Sequence, residues 1–445
     1  MSETEGLCLN ITTPDSISAE NKLPVFAFIH GGGFNVGSAM YPQYDLARFV
    51  SLSVAEGRQC IAVGLNYRLG APGLLTSRAM RSKGYAANNA LRDQRTALLW
   101  IQKHIAGFGG DPENVTLMGE SAGGISVCYH LFSKEPLFRR MMSMSGTHLL
   151  APPITSDEAE KNYTGAMKAL GLREGDIDGL LAVDAMTMVT KLTQSGFQAV
   201  PVLDNDICPT TFSFASTMNG TTDLPGSKWC EAAVIGDCQF DGNIRILSFA
   251  GQKEGIARTF CSSILKSLAS SPGVAGELLT AYGLSPELDD TEGMFRVLQV
   301  ANDLNFYLPT LAIAQGFEAH MKTYMYRFNE PNPWDGPWKG HATHILDLCF
   351  LLQNFNEHLD DAQKNNAELF AKDVIKFVNG EEPWTRWQSE ERIAKVLGPS
   401  GKAEVIEDAP EKVGRRSVVL KLGEQIGLDK LNEAFNGFMK PPSLA

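Results

Sequence analysis

The chain has 445 residues, with 51 Asp and Glu against 39 Lys and Arg, and a formal net charge of -12. That balance argues against nucleic acid or an anionic membrane as the main partner. No apolar run reaches the roughly 18 residues needed to span a bilayer. Residues 1–22 lack the basic start and apolar centre of a signal peptide, and Ser443-Leu444-Ala445 is neither a prenylation box nor a retention signal. The eight Cys are scattered with no C-x-x-C pair, so they read mostly as buried thiols and the cytosol is the expected compartment.

In chain order, Leu7, Leu9 and Ile11 alternate as a short edge strand within Ser2 to Ile11, and Pro14 to Lys22 is turn-like. Val25 to Ile29 is a continuous apolar run of strand length, as a doubly covered sheet requires. It runs into His30-Gly31-Gly32-Gly33-Phe34. Cys60 to Leu65 reads as a second buried strand, followed by Asn66-Tyr67-Arg68-Leu69-Gly70. Leu91, Leu98, Ile101 and Ile105 share one face of a helix. Gly107 to Pro112 reads as a turn, Val115 to Met118 as a strand, Ala122 to Phe132 as a helix and Met141 to Ser145 as the next strand. Such alternation predicts an α/β fold, a mainly parallel sheet with helices on both faces.

The texture changes at about residue 150 and stays helical and loop-rich to about 318, the pattern of a helical cap or insertion within a single domain spanning 1–445. Ala232 to Ile235 interrupts it as a strand, followed by a loop carrying Asp237 and Asp241. Thr323 to Phe328 is a strand, and the loop beyond it carries Trp334, Trp338, His341 and His344. Gln363 to Val378 reads as a helix stopped by Asn379-Gly380.

Gly119-Glu120-Ser121-Ala122-Gly123 fits G-x-S-x-G between a strand and a helix, the nucleophile elbow of α/β-hydrolases. Acyl transfer by serine needs a nucleophile, a base, a group that orients the base, and donors for the oxyanion. Ser121 supplies the first. The glycines at 31 to 33 follow a strand, so their N–H groups can form an oxyanion hole with that of Ala122. They are not a phosphate loop, because no Lys-Ser/Thr follows and the spacing is not G-x-G-x-x-G. In this fold the acid follows a later strand and the histidine sits on a late loop. Asp241 and His344 meet those conditions; Asp237 and His341 compete with them, and pattern alone does not separate His341 from His344.

The chain resembles the type-B carboxylesterases and lipases of the cholinesterase-like family, in their fungal style. The match is densest over Gly109 to Gly124 and includes His30 to Phe34, Asn66 to Gly70 and Leu91-Arg92-Asp93-Gln94-Arg95. The resemblance implies an α/β-hydrolase fold with oxyanion donors at Gly32, Gly33 and Ala122. It implies Asp241, which precedes Gly242, as the acid, in place of the family's usual Glu. It implies His344, followed three residues on by Asp347, as the base. Apart from the resemblance, the loop of Trp334 and Trp338 is stiffened by proline and ends at the candidate base, so at least one of these tryptophans is expected to line the substrate pocket, with Phe34 beside the glycines and Glu120 beside the nucleophile as further pocket candidates. The stretch the family usually carries before Leu9-Asn10-Ile11 has no counterpart, and with it goes the loop bearing the cholinesterase cation-binding tryptophan; a choline ester is therefore not the expected substrate. Gly6 stands where the family has a Cys, and Met167 to Asp184 holds none, which fits an intracellular enzyme.

The expected activity is hydrolysis of a small-molecule carboxylic ester through an acyl-enzyme, with no metal, no cofactor, no nucleic-acid or membrane partner and an open oligomeric state. The competing expectations are a catalytically silent cholinesterase-like binding protein, which the filled triad positions disfavour, and lactone opening by the same machinery.

Overall fold

The computed structural model describes residues 6–15, 17–249, 251–407 and 415–439. Its frame is one nine-stranded sheet. In chain order the strands are β1 (Leu9–Thr12), β2 (Leu23–Ile29), β3 (Ile61–Leu65), β4 (Gly110–Glu120), β5 (Arg140–Met144), β6 (Ala232–Cys238), β7 (Lys322–Phe328), β8 (Ile393–Leu397) and β9 (Ala403–Glu407). Side by side they run β1-β3-β2-β4-β5-β6-β7-β8-β9. The strands from β3 to β8 are parallel, and β1 and β9 close the two edges antiparallel.

Both faces are covered, and successive residues of a strand enter different cores. Val25, Ala27 and Ile29 of β2 pack with Leu91, Leu98 and Ile101 of helix Asn89–His104. Phe26 and Phe28 pack on the other face with Phe370 and Val374 of helix Asp361–Val378. The continuous apolar run therefore serves two cores at once, as a parallel sheet demands. A third core unites helices Ile256–Ser267 and Asp290–Asn302 with the C-terminal helices Arg416–Ile426 and Leu428–Met439, through Phe260, Leu298, Leu422 and Phe435. Among the described residues no helix is long and apolar enough to cross a membrane.

Register brings the chemistry to one edge. Ile29 of β2 lies opposite Gly119 of β4, and Glu120 opposite Met144 of β5. The loops that follow β2, β4 and β5 thus emerge together at the carboxyl ends of the strands, where open α/β sheets place their ligands.

Several expectations need correction. The turn expected over Gly107 to Pro112 ends at Gly109 (φ 79°), and β4 already begins at Gly110, offset by a register shift between Leu23 and Val25. Asp237 is not in a loop: it lies in β6, opposite Arg327 of β7, because β6 continues three residues past Ile235. The edge strand is confined to Leu9–Thr12, and residues 1–5 and 443–445 lie outside the described residues. The pair β8 and β9 and the two C-terminal helices had no counterpart in the sequence reading. At five residues each the two strands carry little pattern of their own; the helices do carry an apolar face, Leu431, Ala434, Phe435 and Phe438 in the last one, that the sequence displays.

Candidate active site

Ser121 stands between β4 and helix Ala122–His130 with φ 55° and ψ −120°, backbone that a residue bearing a Cβ rarely adopts. Its N–H donates to the Met144 carbonyl at 2.8 Å, which pins the turn to β5. The helix enters so close to β2 that a Cβ on Gly123 would sit 2.0 Å from the Ile29 carbonyl oxygen. Close approach fixes glycine there, and the strain at Ser121 is held by packing on both sides.

The loop after β2 folds against this turn. Gly32 (φ 111°) accepts from the N–H groups of Asn35 and Val36 at 3.0 and 3.1 Å, and a Cβ on it would meet the Val36 carbonyl at 2.0 Å. Among the described residues neither Gly32 nor Gly33 gives its N–H to an acceptor. Ala122 is the first residue of its helix, where an N–H has no partner within the helix. His30 stacks on Tyr67, with ring centroids 4.5 Å apart, and its Nδ1 lies 2.8 Å from the Gly31 carbonyl. Burial lowers its pKa to about 4, against the Gly31 bond that raises it, so the ring stays neutral and shapes the loop.

The second arm comes from the far half of the sheet. Asp241 opens a 3₁₀ segment, Asp241–Phe249, after β6 and is fully buried. One carboxylate oxygen accepts from the Cys238 N–H at 2.7 Å and the Ser145 hydroxyl at 3.0 Å, and the other meets His344 Nδ1 at 2.7 Å. The two loops are clamped to each other. Phe240 N–H donates to the Ala342 carbonyl at 2.8 Å, and the His344 N–H donates to the Asn243 side chain at 3.0 Å.

His344 Nε2 lies 3.1 Å from Glu120 Oε1. The contact is one of charge and not an aligned hydrogen bond, since Glu120 Oε1 receives no donor. Burial works against a charged His344, but Glu120, then the hydrogen bond and charge of Asp241, then Asp347 overcome it and raise the pKa to about 9. Glu120 is pushed up to about 8 by burial, with His344 opposing and Asp347 and Asp241 adding to it. Asp347 is raised to about 6 by burial and then Asp241, while the Tyr326 hydroxyl, donating at 2.6 Å, opposes the rise. One imidazole thus sits among three buried carboxylates.

His341 is placed otherwise, with its ring 5.3 Å from Phe240 and 5.5 Å from Phe295. Asp237 pairs with Arg327 and Arg416 instead of a histidine. Phe34 is buried in the core beside Tyr67. Trp334 packs on Phe355 and His358, and Trp338 on Phe240, so the two tryptophans of one loop serve different cores. Sequence reasoning missed Ser145, Asn243 and Tyr326, which hold the acid, the histidine loop and Asp347. Ser145 has a positive φ of 47° directly after β5, but its type alone carries no signal.

With this geometry in hand, similarity to known proteins is informative. Residues 2–392 match the carboxylesterase family. The para-nitrobenzyl esterase of Bacillus subtilis is 28% identical over 94% of this chain and 83% of its own. Lipase 3 of Yarrowia lipolytica is 28% identical over 85% of this chain and 72% of its own. Among solved structures, a Geobacillus stearothermophilus carboxylesterase superimposes with a TM-score of 0.73 at 26% identity, covering 93% of this chain and 85% of that one. A parallel sheet with helices on both faces, a strained serine at a strand-to-helix turn and a match over most of the length converge: the chain belongs to the carboxylesterase family of α/β-fold ester hydrolases.

Proposed function

We propose that the protein hydrolyses small carboxylic esters through an acyl-enzyme, with Ser121 as nucleophile, His344 as base and Asp241 as the group that orients the base. The observation that carries the reading is the 2.7 Å contact between His344 Nδ1 and buried Asp241, at the strand edge that also presents the strained Ser121.

In its neutral form His344 takes the Ser121 proton at Nε2 as Oγ attacks the ester carbonyl. Asp241 keeps the ring oriented and stabilises the imidazolium. The N–H groups of Gly32, Gly33 and Ala122 receive the oxyanion; one such donor contributes about 3–4 kcal/mol to the transition state. The imidazolium then protonates the leaving alcohol, and water, deprotonated by His344, releases the acid. Glu120 completes the cage around the imidazole. Buried thiols at Cys60, Cys128, Cys208, Cys230, Cys238 and Cys261 support a cytosolic setting.

A fluorophosphonate probe tests the reading. The protein is expected to label at Ser121 alone and to lose labelling and ester turnover together in Ser121→Ala. Labelling elsewhere, or turnover that survives the substitution, would refute it.

A further inference from the structure

Helix Asp290–Asn302 runs into one π-helical turn, Asp303–Tyr307, before it continues as Leu308–Phe317. The sequence supplies the reason. Pro309 has no N–H to give the Asn305 carbonyl and would crowd it in an α-helix. The turn widens instead, and the Leu308 N–H reaches back five residues to the Asp303 carbonyl. Asn302 and Phe306 stand four residues apart, about one turn, so they share a face. That face meets both members of the Asp241–His344 pair.

Asn302 holds the acid's side. Asp241 is followed by Gly242, whose N–H donates to Asn302 Oδ1 at 3.1 Å. The helix backbone is pressed against that residue: a Cβ on Gly242 would lie 2.1 Å from the Leu298 carbonyl oxygen. Which way the amide points is set by charge. Asn302 Nδ2 donates to Asp303 at 2.9 Å, and that buried carboxylate also takes the Tyr282 hydroxyl at 2.7 Å and Arg416 Nε at 3.2 Å. An amide oxygen turned toward Asp303 would meet an acceptor, so Oδ1 faces Gly242.

Phe306 holds the base's side. It is buried, and its ring stands at 60° to the His344 imidazole with centroids 5.4 Å apart. Aromatic rings favour this edge-to-face packing. Asp241 holds Nδ1 at 2.7 Å, but one hydrogen bond does not fix the plane of a ring. Phe306 fills the space beside it. The Asn302 bond and the Phe306 contact come from a single turn, so an acid and a base 103 residues apart rest on a common support. We infer that Asn302 and Phe306 are positioning residues for the proposed ester hydrolysis: the π-turn fixes Asp241 and His344 relative to each other, so that Nε2 is presented where the Ser121 proton must go. The inference rests on the hydrolase reading and adds the element that aligns its acid and base.

The test separates positioning from packing. Asn302→Ala and Phe306→Leu should each lower kcat for 4-nitrophenyl butyrate about 10–100-fold with KM little changed, the cost of a small misplacement of a reacting group. Val297→Ala is the comparison: it thins the third core from the same helix and should lower the melting temperature while kcat holds. The double variant Asn302→Ala/Phe306→Leu should lose less than the product of the single losses, because both act through one pair. The downfield proton resonance of the His344 Nδ1–H bond to Asp241 should shift or broaden in both single variants and stay in place in Val297→Ala. A folded Phe306→Leu with the parent's kcat and an unmoved resonance overturns the inference. So does a Phe306→Leu that raises KM while kcat holds, since that marks a pocket wall. If Asn302→Ala does not fold, Phe306→Leu decides by the same two readouts. The resonance needs no turnover. Failure of fluorophosphonate labelling would strike the hydrolase reading while the resonance still reports on the pair; an unmoved resonance beside intact labelling would strike the π-turn and leave the hydrolase reading standing.

Discussion

The two arms of the site are built by different physics. The elbow and the glycine loop lie within two short stretches, 30–34 and 119–124, and are controlled by backbone: positive φ at Gly32, Gly33 and Ser121, and a 2.0 Å clearance at Gly123. The acid and histidine arm joins residues 103 apart in sequence and is controlled by side chains: two loops clamped together and an imidazole among three buried carboxylates. The first arm is tuned by space, the second by charge. Substitutions should therefore fail differently in each.

The largest effects are expected on removing the groups proposed to react, where the two arms should act as one. Ser121→Ala and His344→Ala should each reduce ester kcat/KM by about 10⁴–10⁶, and the double substitution should be no worse than either single. His341→Ala should be mild, because its ring packs among Phe240 and Phe295. Steady-state kinetics on 4-nitrophenyl butyrate decides. Additive losses in the double variant would separate the arms, and a folded but inactive His341→Ala would move the base.

The same comparison explains what the sequence could show. The elbow was legible because its determinants are adjacent in sequence: Gly119, Ser121 and Gly123 state the turn, and the apolar run before them states the strand. Asp241 and His344 were legible as candidates, but residue pattern could not choose between His341 and His344. In space it is His344 that meets Asp241, with Asn243 holding the histidine loop and Ser145 and the Cys238 N–H holding the carboxylate, residue types that carry no signal. Asp237 was misplaced for a related reason. Its charge suggested a loop, yet it continues β6 because Arg327 sits opposite it and Arg416 arrives from the far C-terminal helix. The helices from 150 to 318 were visible as texture and their interruption at Ala232 to Ile235 as a strand, but the end of that strand at Cys238 was not, because Asp237 reads as a loop residue until Arg327 stands opposite it.

A space-controlled arm should break by crowding. Gly123→Ala places a Cβ 2.0 Å from the Ile29 carbonyl, with the backbone of β2 as the obstacle and no flexible tip to yield. The expected cost is about 3 kcal/mol of stability, read as a lower denaturation midpoint. It should come with loss of fluorophosphonate labelling, since the helix cannot seat and Ser121 loses its strained turn. A variant as stable as the parent would show that the elbow has room the geometry denies.

A charge-controlled arm should instead shift in pH. The imidazole must be neutral to accept the Ser121 proton, and its pKa is raised to about 9 with Glu120 the largest raising influence. Activity should therefore climb as pH rises through the range above the ordinary imidazole value, and fall below it as the imidazolium persists. Glu120→Gln removes that influence, so the acid limb of kcat/KM should move down by roughly 1–3 units, with the fold intact. Gly123→Ala, which leaves the carboxylates in place, should not produce such a shift. A limb that stays where it was in Glu120→Gln would mean that Glu120 does not set the protonation of His344.

The smallest and most selective effect belongs to the loop that touches both arms' cores. Trp334 packs edge-on against Phe355, with centroids 5.9 Å apart, in the core beneath helix Asp361–Val378. Trp338 packs against Phe240, centroids 5.5 Å apart, and Phe240 is the residue just before Asp241. One tryptophan is thus tied to the core of the sheet, the other to the segment that carries Asp241. Trp334→Ala should lower stability by about 2 kcal/mol, less than a fully buried aromatic because the residue is only partly buried, and should reduce all esters alike. Trp338→Ala should change the ranking among esters of different chain length with a smaller loss of stability, because apolar walls of this kind set the shape of ester pockets. Melting temperature and an ester-length series on both variants separate the two. If Trp338→Ala melts early and keeps the parent's ranking, both rings are plugs and the pocket wall lies elsewhere.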